Sequence, residues 1–324
     1  MKLGVITVPL YDRSLEDALC YLKGLGVEAV EIGCGGFPGD GHSHREELLA
    51  DKSKLKAFKD LFKKYDMEIS SLSTHGNAVH PDKEVAAKFH NDFERTCILA
   101  NELEIPRVIT FSGCPGDAPG AKYPNWVTCP WPDDFLHILD YQWNDVLIPY
   151  WIKEAEYANK YGVSMIAFEM HPGFCVYNTE TMLKIRKAVG PTIGANVDPS
   201  HLIWQGMDPV EVIRTLGKEK AIYNFHAKDT RIDKTVTAVN GVLDTKHYSD
   251  EINRSWVFRS LGYGTDEKLW KDMISMLQLV GYNHVLSIEH EDSIMTSKEG
   301  LEKAIAFLKN VMIHDPKPGT MFWA

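Results

Sequence analysis

The sequence predicts a single (β/α)8 barrel, and three observations carry that expectation. Short β-type runs alternate with amphipathic helical stretches along the whole chain, and eight such units can be counted. Eight is the number that closes a parallel barrel. In the second half, four successive β-type runs each lead into one ionisable or ligating residue: Glu169, Asp198, His226 and Glu289. No G-x-G-x-x-G follows the first strand, which weakens the competing doubly wound open sheet.

The elements follow in order. Strands are expected at 3–8, 27–32, 67–73, 107–111, 163–169, 192–198, 221–226 and 284–289. Ser14, with Asp17 three residues on, caps a first helix carrying Leu15, Leu19, Leu22 and Leu25 at helical spacing. A glycine-rich loop at 33–41 leads to an amphipathic helix over 48–64, with Leu55, Phe58, Leu61 and Phe62 on one face. A long helix covers 83–103. Another covers 134–161, which Pro149 should break or kink. Further helices start near Thr179, Asp208 and Asp266, and the last spans 297–312. The domain reading is one barrel over residues 1–313 and a tail over 314–324, whose Met321-Phe322-Trp323 is expected to pack, on its own chain or across an interface.

Two post-strand segments, 112–133 and 227–265, exceed the usual loop length. Both are expected on the C-terminal face, where barrel enzymes build their sites. Their aromatics, Tyr123, Trp126, Trp131, Tyr248, Trp256 and Tyr263, either form a lid over a substrate or pack on the barrel or a second subunit.

Composition narrows the function. The 324 residues are 44% hydrophobic and 25% charged, as in ordinary globular proteins. The formal net charge of −10 disfavours a nucleic-acid partner. No run of 18 apolar residues marks a membrane span, and residues 1–9 read as a first strand, not a signal peptide. The six cysteines form no C-x-x-C pair, consistent with reduced thiols in a cytoplasmic protein.

Alone, an acid at a strand end is often only the cap of the next helix, and a lone histidine is often structural. Four ligand types on four consecutive strands are better read as one divalent-metal site rich in oxygen donors. A barrel used only for binding has no reason to keep them. Neighbouring residues enrich the site: His171 beside Glu169, His201 three residues after Asp198, Lys228 and Arg231 after His226, Glu291 after Glu289. His75, Asn77 and His80 sit on the loop after the third strand. A divalent ion there would acidify a C–H next to a carbonyl, and carboxylates on either side could move the proton. Glu169 and Glu289 are the expected pair, and His75 and Trp126, on mouth loops, are expected to contact substrate.

These motifs resemble the xylose-isomerase-like (β/α)8 superfamily, which contains sugar isomerases and epimerases, the tagatose-epimerase group, inosose dehydratases and endonuclease IV. The resemblance covers nearly the whole chain and is strongest over 163–292. It implies a metal, commonly manganese, with magnesium, cobalt or zinc as alternatives, held by Glu169, Asp198, His226 and Glu289. The two glutamates are then the proton-transfer pair, and His201 and Arg231 contact substrate. Three stretches (125–132, 169–173 and 240–248) are similar to a branch of sugar phosphate isomerases/epimerases that also holds catalytic α-subunits of C-glycoside deglycosidases. That likeness makes His171 a candidate acid/base.

The expected function is therefore a metal-dependent isomerase or epimerase of a sugar or keto-sugar. The alternative is a lyase that cleaves 3-oxo-C-glucosides by deprotonation and elimination. A nuclease is disfavoured by the acidity. The expected partners are a sugar or glycoside and further copies of the chain, or, in the deglycosidase reading, a small β-subunit.

Overall fold

In the computed structural model, which describes residues 1–316, eight parallel strands close into a barrel. These are β1 (Lys2–Ile6), β2 (Ala29–Gly33), β3 (Glu68–Ser73), β4 (Arg107–Thr110), β5 (Met165–Glu169), β6 (Ile193–Val197), β7 (Ile222–Ala227) and, after two further strands described below, β10 (Val285–Ile288). The order around the barrel is β1-β10-β7-β6-β5-β4-β3-β2, so β1 and β10 close it. Helices surround it, and the main core lies between strands and helices, where Leu19, Leu22, Phe93, Trp151, Phe168, Phe225 and Trp270 are fully buried. No helix among the described residues is long and apolar enough to cross a membrane. The expected tail contacts of Met321-Phe322-Trp323 lie outside the described residues.

Local chemistry sets the helix boundaries. Ser14 accepts from the Asp17 amide and starts Leu15–Gly24. The helix expected over 48–64 is two helices, Arg45–Ala50 and Lys52–Lys64. Asp51 is extended, and its carboxylate accepts from the Ser53 and Lys54 amides, so it ends one helix and caps the next. Pro149, expected to break or kink the helix over 134–161, does not end it: the backbone stays helical and only its winding changes. Helix Asp134–Asp140 passes into a widened π-type stretch, Tyr141–Leu147, and resumes as Ile148–Lys160 with the proline in its first turn. A proline ring clashes with the carbonyl four residues back, and the wider turn relieves that clash.

The segment 227–265, expected as a loop, holds an antiparallel hairpin. Its strands are β8 (Asp229–Ile232) and β9 (Trp256–Arg259), with Thr230 opposite Phe258 and a short helix, Lys234–Asn240, between them. One buried carboxylate straps it down: Asp229 accepts from the amides of Thr230, Gly262, Gly264 and Thr265 and from the Thr265 hydroxyl, all at 2.9–3.1 Å. Gly264 is required there, because a Cβ would lie 2.5 Å from the Thr230 carbonyl.

The strap predicts the consequence of removing it. Asp229→Ala should lower the unfolding free energy by about 2 kcal/mol and make the hairpin the first site of limited proteolysis. Unchanged urea denaturation and an unchanged cleavage map would contradict this.

Candidate active site

The C-terminal ends of the strands bring four side chains to one point. Glu169 ends β5, Asp198 directly follows β6, His226 is the penultimate residue of β7, and Glu289 directly follows β10. One ligand atom from each lies within 4.8 Å of the others. His226 Nδ1 stands 3.1 Å from Glu169 Oε2 and 3.1 Å from Glu289 Oε2. Asp198 divides its oxygens: Oδ1 accepts from the Ser200 amide and caps the short helix Pro199–Trp204, while Oδ2 faces the cluster. The capping and ligating readings of an acid at a strand end thus both hold for this residue.

Neighbouring side chains hold the cluster rigidly. Glu169 receives His75 Nε2 at 3.0 Å, His201 Nε2 at 3.1 Å and Asn196 Nδ2 at 3.1 Å. Asn224 donates in turn to Asn196 Oδ1 at 3.0 Å. Burial opposes charge on Glu169, but His201, His226 and His75 outweigh it and hold its pKa well below the usual carboxylate range. Burial likewise opposes charge on Glu289, and Lys228 and His226 pull its pKa down. Lys228 is buried between Asp198 Oδ2 at 3.1 Å, Glu289 Oε2 at 2.9 Å and Glu291 Oε2 at 3.0 Å. Burial disfavours its charge too, but Asp198, Glu289 and Glu291 raise its pKa well above the ordinary value. The Phe258 ring of the hairpin lies over this ammonium, 4.7 Å away.

Glu31, which the sequence reading passed over, proves central. It is fully buried on β2, and both of its oxygens face His226 Nε2, at 3.0 and 3.2 Å, while Ser287 donates to it at 3.2 Å. With Nε2 bound to a carboxylate, Nδ1 is the nitrogen turned to the cluster. A signal existed. Asn196, Asn224 and Ser287 each stand two residues before a ligand-type residue, and a strand returns to the same face every second residue. Glu31 is likewise a lone acid inside an apolar run.

The other expected site residues divide. His75 and His201 belong to the cluster. The His171 ring packs 4.1 Å from that of His201 and against Phe111 and Phe174, and burial and the nearby His201 push its pKa down to about 3. Arg231 does not reach the site. It is exposed on the hairpin, 4.0 Å from Asp233, and the cation at the cluster is Lys228. Trp126 is also displaced: it packs edge-on against Tyr177 in a side pocket with Leu139 and Trp143. Of the remaining loop aromatics, Tyr123 and Trp131 are exposed, whereas Trp256 stacks on Trp204. His80 is turned aside, accepting from the Asp82 amide.

Two adjoining cavities open above the cluster. The inner one, about 320 Å³, is lined by His75, Glu169, Glu289 and Glu291. The outer one, about 510 Å³, is lined by Phe174, Tyr248, Val257, Phe258 and His171. Phe37 and Phe111 line both. Phe37 is placed by Gly36, whose positive φ brings the chain so near the His75 carbonyl that a Cβ would lie 2.0 Å from its oxygen.

The donor set fits a divalent ion. Asp198 Oδ2 and His226 Nδ1 are buried without a well-formed hydrogen bond, although charged groups lie 3.1 Å from each. Five carboxylates, those of Glu31, Glu169, Asp198, Glu289 and Glu291, gather around one ammonium, Lys228, and the imidazoles of His75, His201 and His226, and a dication offsets that excess of acids.

Fold and site together define a (β/α)8 barrel with a buried, metal-type cluster at its C-terminal mouth. The chain belongs to the xylose isomerase-like TIM barrel family, whose model matches residues 20–311. It is 39% identical to uncharacterized protein YfiH of Bacillus subtilis (strain 168) over 315 residues, 96% of this chain and 99% of that protein. It shares its fold with the IOLI protein with a bound zinc atom (TM-score 0.66, 18% identity, 96% of each chain). It also shares it with a D-tagatose 3-epimerase-like protein (TM-score 0.63, 21% identity, 96% of this chain and 98% of that one).

Two predictions follow from the geometry. Glu31→Gln should weaken divalent-metal affinity roughly 10- to 100-fold with an unchanged circular dichroism spectrum; calorimetric titration showing wild-type affinity would contradict it. Burial disfavours a charged His226, but Glu31, Glu289 and Glu169 raise its pKa well above the ordinary value, which favours a protonated ring in the metal-free site. A nitrogen ligand must be unprotonated. Metal uptake should therefore release a proton, and affinity should rise about tenfold per pH unit below that raised pKa. Titrations in buffers of different ionisation enthalpy count the proton, and a count of zero is the contrary result.

Proposed function

We propose that this protein is a divalent-metal-dependent isomerase or epimerase that moves a proton on the carbon next to a carbonyl of a sugar or keto-sugar. The observation carrying this reading is that Glu169 and Glu289, from different strands, each stand 3.1 Å from His226 Nδ1 and line one cavity. Glu169, Asp198, His226 and Glu289 are the residues that would hold the ion. When bound, such an ion, whether manganese, magnesium, cobalt or zinc, would polarise the carbonyl and make the neighbouring C–H more acidic.

The chain's own groups supply the rest. Glu169, kept ionised by its imidazole neighbours, takes the proton at a carboxylate oxygen. Isomerisation returns the same proton from Glu169 to the neighbouring carbon. In epimerisation Glu289, carrying a proton taken up from solvent, gives it to the opposite face while Glu169 releases its own to solvent. The Lys228 ammonium, 2.9 Å from Oε2, orients Glu289. His75 and His201 meet sugar hydroxyls at the polar end. Phe37 and Phe111 exclude water from the reacting carbon.

The outer cavity favours a second reading. Phe174, Tyr248 and Phe258 offer an apolar compartment next to the polar one, suited to a sugar bearing an aromatic group. There, deprotonation of a 3-oxo-glucoside followed by loss of the aglycone would make the protein a lyase. His171, kept neutral by burial, faces the leaving group.

Reaction in D2O with manganese, a panel of ketoses and a 3-oxo-C-glucoside tests both. Deuterium in a recovered or rearranged sugar supports the isomerase, and released aglycone supports the lyase. Glu169→Gln and Glu289→Gln should each slow the reaction by about 10²- to 10⁴-fold. Full activity in either variant would contradict the paired-carboxylate mechanism.

A further inference from the structure

We infer that His90, Glu94 and Glu154 form a second divalent-metal site, of the zinc class, on the outside of the barrel. None of these residues lines the mouth cavities or belongs to the cluster described above. His90 and Glu94 stand four residues apart on helix Lys83–Leu103, so they share a face. Glu154 faces them from helix Ile148–Lys160. One ligand atom from each of the three lies within 4.8 Å of the others.

Neither glutamate makes a tight ion pair with His90. His90 Nε2 is 3.7 Å from Glu94 Oε1, and His90 Nδ1 is 3.5 Å from Glu154 Oε1. Charge-assisted hydrogen bonds close to about 2.7–2.9 Å. Those two contacts use different ring nitrogens, of which one ion can take only one. A single His90 nitrogen and one oxygen from each glutamate lie within 4.8 Å of one another, wide enough for an ion to sit among them.

An independent observation points to a missing partner. Glu154 is only 5% exposed, yet its Oε2 makes no hydrogen bond. A carboxyl taken out of water is satisfied by protonation or by donors or a cation on its free oxygen, and Glu94 and His90 beside it make a cation the partner that answers all three groups. Tyr150, one turn earlier on the same helix, brings its hydroxyl to 3.2 Å from His90 Nδ1, which leaves Glu154 Oε2 unanswered. His90 and Glu94 are partly exposed, so an ion can enter from solvent and complete its shell with water. One imidazole and two carboxylates suit zinc better than a hard ion such as calcium. The ion would tie two outer helices together and act as a structural clip, apart from the chemistry at the mouth.

Zinc itself is the probe. The full chain is dialysed against micromolar free zinc, and bound metal is counted by atomic absorption for wild type, His90→Gln, Glu94→Gln and Glu154→Gln. Each variant should hold one zinc fewer per chain than wild type, and the rise in Tm that zinc gives wild type should shrink in each. Glu94 is partly exposed, so its amide variant keeps the test open if Glu154→Gln fails to fold. Equal zinc content in wild type and Glu94→Gln, or in wild type and His90→Gln, would overturn the proposal. Because the count is a difference from wild type, it reads this site whether or not the mouth cluster also holds zinc.

Discussion

The structure turns on one desolvated carboxylate. Glu169 is buried at the end of β5, and burial alone would neutralise it. It stays ionised because the loop after β3, strands β6 and β7 and the short helix after β6 deliver His75, Asn196, His226 and His201 to its two oxygens. Moving any of those strands by one residue would turn a partner to the other face and strand a charge in the interior. The barrel's register and the site's electrostatics are therefore one constraint. The interior ladder of Asn224, Asn196, Glu31 and Ser287 is its lower course.

A second layer sets what the mouth can admit. The hairpin of β8 and β9 lowers Phe258 over Lys228 and beside His201, closing one side of the site with an aromatic wall. Asp229 holds that wall through its bonds to 262–265. A polar inner compartment thus adjoins an apolar outer one. Such a division would suit a molecule with hydroxyls at one end and a flat or apolar group at the other.

Much of this was legible in the sequence, and the reasons differ by residue. The eight barrel strands and the four cluster residues were readable because apolar runs ending in a ligand type repeat at strand spacing. Ser14 announced its effect because capping is local, whereas Pro149 altered the winding of its helix without ending it. Arg231 and Trp126 were misplaced because their positions depend on a hairpin and a loop whose shapes are fixed by distant contacts, Asp229 with 262–265 and Trp126 with Tyr177. Glu31 escaped notice because its partner, His226, lies 195 residues away and meets it only when β1 and β10 close the barrel.

The central claim is that the convergence of Glu169, Asp198, His226 and Glu289 exists to hold a divalent ion. The most direct test is anomalous diffraction from manganese-soaked crystals, recorded on either side of the manganese absorption edge. An anomalous peak about 2.0–2.3 Å from an oxygen of each carboxylate and from His226 Nδ1 is the predicted result. Data showing Lys228 still bridging Asp198 and Glu289, with no anomalous density among the four residues, would contradict it.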